Sequence, residues 1–324
     1  REFWDVREKN GVVMPVVQLD KLERFLHEKG GFSLYFYDPN SVIYRLIKVV
    51  DGMVEESSTE QIKKFIKGYI NRLPSSFDMG LDPQTLMEVI YKGSNTYFSD
   101  NFFEFFDRAK IEFLEDTKDT CYFPFRNGVV KITKDAIKVL NYGEIGKVIW
   151  KSQVIDHKIY VEDDFELNNC EYFKFLQKIS GEEPEKLMYC LSLIGYLLHK
   201  YKDPARPFAV ILAEETELAS EGGGTGKGIF VKALSYLANL VVVDGKNFKV
   251  DKNFAFQRVD LDTRIIAIED TRKNVDFEGF YSIITEGITV EKKNQDELRI
   301  PYKDSPKVVF TTNYTIPNLS LIHI

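Results

Sequence analysis

The chain has 324 residues, of which 44% are apolar and 14% are aromatic, and its formal net charge is −7. This length allows two or three domains with sizeable cores, and the acidic balance disfavours an extended surface that coats nucleic acid. No apolar run approaches the roughly 18 residues that a membrane span needs, and no signal-peptide pattern is present, so we expect no membrane partner.

Residues 1–110 are predicted to form an α+β region. Its expected elements, in chain order, are a helix over 20–29, a hairpin over 32–50 that turns at 38–40, a helix capped by Ser58 and Gln61 and ended by Pro74, and a helix over 84–92. This pattern is compatible with a winged-helix-like or primase-linked module. The aromatic segment 101–106 could stack on bases, but such segments are far more often core, and we assign it to the core.

Residues 111–204 are predicted to connect this region to a catalytic core through a strand hairpin and a helical segment. The hairpin spans Tyr122 to Val130 and contains a tight Asn-Gly turn. The helices cover 170–179 and 184–201, and a proline suits the first position of the second helix. Because the second helix is apolar on most sides, we expect it to be buried between neighbours.

The spacing of the cysteines indicates whether the cellular compartment of the protein is oxidising or reducing. The three cysteines, Cys121, Cys170 and Cys190, are widely spaced and form neither a metal-ligand pair nor a disulfide framework. The histidines likewise form no cluster in the sequence. This usage indicates a reducing, intracellular setting.

After a stiff connector at 202–207, residues 205–318 alternate strands and helices around a glycine-rich loop. The expected elements are strands over 208–212, 240–243, 264–268 and 307–311 and a helix over 227–238. This alternation predicts an α/β core with a mainly parallel sheet flanked by helices, and a functional site at the carboxyl ends of its strands.

The glycine-rich loop carries the strongest chemical signal. It comprises Gly222, Gly223, Gly224, Thr225, Gly226, Lys227 and Gly228. Glycines let backbone N–H groups point at phosphate oxygens, the helix N-terminus favours anions, and Lys227 would reach the outer phosphates. The match to the phosphate-loop pattern is imperfect, because Glu221 replaces its first glycine and Gly228 replaces the hydroxyl residue that touches magnesium. We predict an ATP-binding loop in which water or Thr225 supplies the missing ligand.

Polar residues follow two later strands. Glu269 and Asp270 come after the apolar run 265–268, where one carboxylate could hold Mg²⁺ and the other could polarise the attacking water. Asn313 follows the strand over 307–311 and could hydrogen-bond the γ-phosphate. Each motif alone is common as part of an ordinary turn, so the prediction depends on their order along the chain.

A charged hairpin is predicted over 287–302, with Lys292 and Lys293 near its tip. These lysines could contact the phosphate backbone of DNA. The segment 286–307 holds five basic and five acidic residues, so a solvated charged loop explains it equally well.

In this order, the four elements resemble those of the superfamily 3 helicases and, within that group, the phage primase-helicases. The Phe-rich stretch 253–259 ahead of the acidic strand and the Phe-Arg-Asn-Gly segment at 125–128 are similar to segments of that group. The resemblance covers about residues 205–318 and is much weaker before residue 110.

The resemblance implies a AAA+ P-loop core, ATP and Mg²⁺ as cofactors, a homo-hexameric ring and translocation on single-stranded DNA. It also implies an associated primase domain or subunit, and a phage-encoded protein in the bacterial cytoplasm. Site roles carried over are Lys227 as the phosphate lysine, Glu269 and Asp270 as the acidic, metal-binding pair, Asn313 as the sensor, and Lys292 and Lys293 in or near the DNA-contacting hairpin.

The trans-acting arginine of this family lies beyond the sensor asparagine, where this chain has Leu319 to Ile324. That hexapeptide matches the translation of a transposase mosaic-end adapter used for sequencing libraries, so we expect residues 319–324 to be adapter read-through. Without the arginine, we expect the chain as written to bind ATP but to hydrolyse it poorly.

Two other functions stay open. One is a different enzyme with the same loop, such as a small-molecule kinase or a DNA-packaging ATPase. A kinase would need an acceptor pocket and an arginine-rich lid, which we do not find. The other is an ATP-binding scaffold or origin-binding protein with little turnover, which the departures at Glu221 and Gly228 favour.

Overall fold

The structure is a computed structural model that describes residues 2–36, 42–162, 165–213, 226–250, 254–273, 275–293 and 297–314. The chain divides into two compact units. The first unit comprises residues 1–113 and 146–151, and the second comprises residues 114–145 and 152–324. Within the described ranges, no helix has both the length and the apolar character that a membrane crossing requires.

The first unit mixes helices with antiparallel strand pairs. Its elements are β1 (Trp4–Lys9), β2 (Val12–Val17), α1 (Leu19–Glu28), β3 (Phe32–Tyr35), β4 (Arg45–Val50), β5 (Met53–Glu56), α2 (Thr59–Ile70), α3 (Pro83–Lys92), α4 (Ser94–Tyr97), α5 (Asp100–Phe103) and, later in the chain, β9 (Ile149–Trp150). β1 pairs with β2, and a four-stranded sheet has the order β3-β4-β5-β9. The expected hairpin over 32–50 is confirmed by the antiparallel pairing of β3 with β4.

Local signals explain where α2 begins. The Ser58 side chain accepts a hydrogen bond from the backbone of Gln61, and the Gln61 side chain accepts one from the backbone of Ser58, which confirms the predicted capping box. The helix ends at Ile70, before Pro74, so the proline is not what terminates it. In the aromatic segment 101–106, Phe102, Phe103 and Phe106 lie in the core as expected, whereas Phe105 is exposed.

The second unit contains a parallel sheet. Its elements are β6 (Thr120–Phe125), β7 (Gly128–Thr133), β8 (Ile137–Leu140), α6 (Glu171–Ile179), α7 (Pro184–Leu198), β10 (Val210–Leu212), α8 (Lys227–Leu234), β11 (Leu240–Asp244), β12 (Ile265–Thr271), α9 (Tyr281–Thr285), β13 (Gly287–Val290), β14 (Leu298–Pro301) and β15 (Lys307–Thr312). Four of these strands form an all-parallel sheet in the order β10-β15-β12-β11. This confirms the predicted parallel sheet, and the apolar, buried run of β12 suits its central position.

The strand hairpin and the helices before the sheet pack into the same core as the sheet. Phe123 of β6, Leu176 of α6 and Leu197 of α7 are buried together with Val210 and Val309 of the sheet. The chain therefore does not divide at the connector 202–207, which was predicted as the boundary before the core. Burial of these apolar side chains against one another joins segments that the sequence separates.

Helix α7 differs from its prediction. It ends at Leu198 instead of 201, and Met188 and Tyr189 are 62% and 66% exposed. The expectation that the helix is buried between neighbours is therefore wrong for this face. Only Leu197 and Leu198, at the carboxyl end of the helix, are fully buried.

Candidate functional site

The carboxyl ends of β10, β12 and β15 meet at one edge of the parallel sheet. Leu212 ends β10, Thr271 ends β12 and Thr312 ends β15, and each pair of neighbouring strands runs in the same direction. In open parallel sheets, ligands bind outside this edge, where the strand order reverses. Of the residues proposed from the sequence, Glu269, Asp270 and Asn313 belong to segments that end here.

Gly226 and Lys227 lie at the start of α8. Gly226 caps the helix with φ of +97°, a left-handed conformation that favours glycine. A Cβ at this position would lie 2.8 Å from Cε2 of Phe175, so α6 approaches the loop closely. Lys227 is the first helical residue, where the backbone N–H groups of the first turn have no partner within the helix. This geometry can hold an anion.

The other predicted loop residues, Gly222, Gly223, Gly224 and Thr225, lie outside the described residues. Gly228 is in the first turn of α8, and its side-chain position is open, with no atom within 4 Å of an added Cβ. The part of the phosphate loop that the structure describes is therefore its last three residues.

Glu269 and Asp270 belong to the end of β12, which ends three residues later than predicted. The strand bulges between Ile268 and Thr271, and Asp270 has φ of +53°. The backbone N–H of Asp270 donates to Oγ1 of Thr311 over 3.0 Å, which anchors the bulge to β15. A β-bulge changes the direction of the side chains that it carries. Glu269 and Asp270 therefore depart from the regular alternation of side chains along the strand.

The two carboxylates offer the oxygen donors that Mg²⁺ prefers. Burial raises the pKa of Glu269, and repulsion by the nearby Asp270 raises it further. A bound dication would relieve both effects by stabilising the ionised form. Nζ of Lys246 lies 3.4 Å from Oδ2 of Asp270, but both side chains are largely exposed, so this ion pair is weak. Glu269 and Asp270 could therefore hold Mg²⁺, although Gly228 offers no hydroxyl group to the ion.

Asn313 follows β15 directly, and the end of β15 is tied to β12. Oγ1 of Thr271 donates to the carbonyl oxygen of Thr311 over 3.1 Å, and Oγ1 of Thr312 donates to the carbonyl oxygen of Thr271 over 3.4 Å. These bonds bring the chain at Asn313 beside the carboxylate pair. The structure therefore places Glu269, Asp270 and Asn313 at the ends of the neighbouring strands β12 and β15, and Lys227 at the start of α8, beside the end of β10.

The predicted lysine pair is not at this edge. Lys292 and Lys293 follow β13 in the β13–β14 hairpin. Nζ of Lys292 lies 2.6 Å from Oδ2 of Asp260, and the Lys292 side chain is only 22% exposed. The charge of Lys292 is thus paired within the chain, and its contact with DNA stays a prediction. Lys293 is exposed.

A cavity of about 540 Å³ adjoins Gly226 and Lys227. Its walls include Ile179 of α6, Tyr189 of α7 and Phe230 of α8. The contribution of α6 and α7 to this region was not predicted from the sequence. No sequence motif identifies these two helices as part of the site. The sequence shows that α7 is apolar, but it does not show that one apolar face of the helix is exposed.

The fold and the site define the class of this protein. It is a mixed α/β protein with several sheets, and its one four-stranded parallel sheet carries basic, acidic and amide residues at the carboxyl edge.

Comparisons with known proteins add the following. Residues 218–320 match a family described as "Family of unknown function (DUF5906)". No curated protein matches the chain. The chain is similar to two solved structures of the NrS-1 C terminal region, described as A form apo structures, the second spanning residues 305–718.

Sequence identity to the two NrS-1 structures is 12% and 14%, and both TM-scores are 0.44. The alignments cover 91% and 92% of this chain but only 57% and 58% of the NrS-1 chains. The chain thus spans little more than half the length of these structures.

Proposed function

We propose that this chain is part of an ATP-dependent replicative DNA helicase of the primase-helicase type. The observation that supports this most is that Glu269, Asp270 and Asn313 lie at the ends of the neighbouring strands β12 and β15, while Lys227 begins α8 beside the end of β10. These residues come from three motifs that extend over more than 80 residues of sequence. A glycine-lysine helix start and an acidic pair at this edge of a parallel sheet are groups that suit phosphate and Mg²⁺.

In the proposed reaction, ATP binds with its phosphates at the start of α8. Glycine backbone N–H groups and the ammonium group of Lys227 neutralise phosphate charge. The carboxylates of Glu269 and Asp270 would hold Mg²⁺ and orient the attacking water, and Asn313 would hydrogen-bond the γ-phosphate or that water. The protein's contribution is positioning and charge stabilisation, which is what phosphoryl transfer requires.

Single-stranded DNA, a homo-hexameric ring and an associated primase are the partners of this proposal. They follow from the resemblance to superfamily 3 helicases. The local charge supports the DNA contact less than expected, because Lys292 pairs with Asp260 and leaves Lys293 as the exposed member of the pair. We therefore assign the stronger DNA contact of this hairpin to Lys293.

A second candidate is an ATP-binding scaffold or origin-binding protein with little turnover. The specific observation in its favour is Gly228, whose open position offers no hydroxyl to a metal ion. ATP hydrolysis distinguishes the two candidates, because a scaffold binds nucleotide without DNA-stimulated turnover.

The test compares Lys227→Ala with Lys232→Ala in the full-length protein, with and without single-stranded DNA. Lys232 is an exposed lysine in the last turn of the same helix, so its removal controls for charge loss on α8. We expect DNA to stimulate ATP hydrolysis by the wild type, and Lys227→Ala to lower the rate roughly 100-fold. The Lys232→Ala variant should stay near the wild-type rate.

ATP hydrolysis that is not stimulated by DNA would contradict the helicase proposal and favour a kinase or packaging ATPase. Tight ATP binding without turnover would favour the scaffold. Equal rates of ATP hydrolysis by Lys227→Ala and Lys232→Ala would contradict the proposed phosphate-binding role of Lys227.

A further inference from the structure

Three potential metal-binding side chains converge in the second unit, away from the candidate nucleotide site. Asp116 precedes β6, Cys121 is the second residue of β6 and His199 follows the end of α7. Their ligand atoms all lie within 4.8 Å of one another. Among the residues that the structure describes, no other group of three or more His, Cys, Asp or Glu side chains comes together in this way.

Hydrogen bonds position the carboxylate of Asp116. It accepts from the backbone N–H of Tyr122 over 2.9 Å, from the backbone N–H of Lys200 over 2.7 Å, and from the thiol of Cys121 over 3.2 Å. One carboxylate thus joins the start of β6 to the residue after His199. Its orientation depends on two backbone segments and not on flexible side chains.

The ring of His199 is positioned against the same segment. Its Nε2 lies 2.8 Å from the carbonyl oxygen of Thr117 and 3.3 Å from that of Thr120. Thr117 and Thr120 are the neighbours of Asp116 and Cys121 in the chain, so the imidazole faces the residues that flank the other two ligands. Metal-bound histidines commonly have backbone carbonyl partners of this kind.

Sulfur, imidazole nitrogen and carboxylate oxygen form a donor set that suits Zn²⁺. Bonds of about 2.0–2.3 Å place the ligands of a tetrahedral zinc roughly 3.3–3.8 Å apart. The 3.2 Å between Sγ of Cys121 and Oδ2 of Asp116 is already close to this value. No two of the ligand atoms are more than 4.8 Å apart, so binding requires a closure of at most roughly 1–1.5 Å. A thiolate and a carboxylate also balance the two charges of the ion.

Other contacts hold the two segments together independently of any metal. The guanidinium of Arg264 donates to the carbonyl oxygens of Tyr122 and Leu198, and Nζ of Lys307 donates to that of His199. The backbone around the three ligands therefore stays in place when one of the ligand side chains is replaced. Substitutions at the cluster can test binding without relying on a loss of the fold.

The geometry points to a zinc site: we propose that Asp116, Cys121 and His199 bind one Zn²⁺, with water as the fourth ligand. The ion replaces the thiol hydrogen of Cys121, the sulfur–zinc bond forms as the S–H bond breaks, and one proton passes to solvent. The site would cross-link the start of β6 to the end of α7. It is separate from the proposed magnesium site in both residues and donor type.

The test is Co²⁺ loading of the full chain, followed by absorption spectroscopy and metal analysis of zinc-loaded protein. A cobalt–thiolate band with tetrahedral ligand-field bands, and one Zn²⁺ per chain, are expected. Cys121→Ser should abolish the thiolate band and weaken zinc binding at least ~100-fold. The matched controls Cys170→Ser and Cys190→Ser should keep both signals, because neither cysteine belongs to the cluster.

Asp116→Asn is the second variant, since its amide keeps an acceptor oxygen for one of the two backbone donors, Tyr122 or Lys200, while it removes the negative charge. It should fold and lose zinc affinity. A wild-type protein that binds no stoichiometric Zn²⁺, or a thiolate band that persists in Cys121→Ser, would overturn the proposal. Excess Mg²⁺ should not compete, because it prefers oxygen ligands, and competition by Mg²⁺ would also overturn the proposal.

Discussion

At the residue scale, Asp270 combines an uncommon backbone conformation with a charged side chain. Its φ of +53° lies in the left-handed region, which aspartate tolerates better than most residues. The Thr311 hydroxyl and the bulge of β12 hold this conformation in place. Backbone strain of this kind clusters at functional sites, and here it occurs at the carboxylate pair assigned to magnesium.

Gly226 gives a test of backbone geometry at the same site. Gly226→Ala should lower the free energy of unfolding by about 1–2 kcal/mol, because an alanine at φ of +97° is strained and its Cβ would press on the Phe175 ring. ATP affinity should fall as well, since this glycine shapes the last part of the proposed phosphate loop. Urea unfolding and nucleotide titration measure the two effects.

Gly228→Ala is the control for this substitution. Its added Cβ meets nothing within 4 Å, and the residue is helical, so unfolding should become less favourable by about 0.5–1 kcal/mol. If both alanine variants behaved alike, the left-handed conformation of Gly226 would not be the cause.

At the element scale, the carboxyl end of α7 is stabilised by cations from distant strands. Nζ of Lys307 donates to the carbonyl oxygens of Tyr196 and His199 over 2.6 and 2.5 Å, and Arg264 donates to that of Leu198 over 3.2 Å. The last carbonyl groups of a helix have no partner within it and carry partial negative charge, so cations there are favourable. These contacts stabilise the end of α7 at Leu198, and the following residue, His199, is extended.

Lys202 links the segment after α7 to the turn before β15. Its Nζ donates to Oγ of Ser305 over 2.7 Å and lies 4.1 Å from the centre of the Tyr302 ring. Burial lowers the pKa of Lys202 to about 8, from an ordinary value of 10.5. Between these values the unfolded chain binds more protons than the folded chain, so the free energy of unfolding should rise as the pH rises through this window.

Lys202→Met should make that rise smaller by roughly 2 kcal/mol. The remaining rise should come from the buried Lys307, because burial lowers its pKa to about 7. Urea unfolding at about pH 7 and about pH 10 measures the change. Lys303→Met, at an exposed lysine of the neighbouring turn, should keep the pH dependence of the wild type. A pH dependence in Lys202→Met equal to that of the wild type would contradict the contribution of Lys202.

At the scale of the whole molecule, the first unit is discontinuous in sequence. Its last strand, β9, comes from residues 149–150 and pairs with β5 in parallel. Trp150 of β9 stacks on Phe113 with ring centres 5.0 Å apart and lies edge-on to Tyr35 at 5.7 Å. The chain thus leaves the first unit after residue 113, forms the β6–β8 sheet of the second unit, and returns to complete the first.

Trp150→Ala should destabilise the first unit by about 3–5 kcal/mol, because it removes a buried aromatic side chain between β5 and Phe113. Hydrogen exchange should accelerate in β4 and β5 and stay unchanged in β12. ATP binding by the variant should be retained. Equal acceleration in β12 would mean that the two units unfold as one.

Much of the fold was predictable from short stretches of sequence. The capping box at Ser58, the hairpin that ends at Val130, and the apolar run of β12 depend on residues within a few positions of one another. Capping, tight turns and strand patterning are local interactions, so their signals remain readable without the fold. The order of Lys227, Glu269 and Asn313 similarly indicated a common edge once a parallel sheet was expected.

Other features were decided only by the tertiary structure. The pairing of Lys292 with Asp260 joins residues 32 positions apart. The convergence at Asp116 and Cys121 brings in His199, which lies 78 positions after Cys121. The boundary at 202–207 failed because apolar side chains from β6, α6 and α7 share a core with the sheet. By itself the sequence determined local elements and the sheet type. Charge pairing, helix burial and the domain division depend on which distant surfaces meet, and that is settled only when the chain packs.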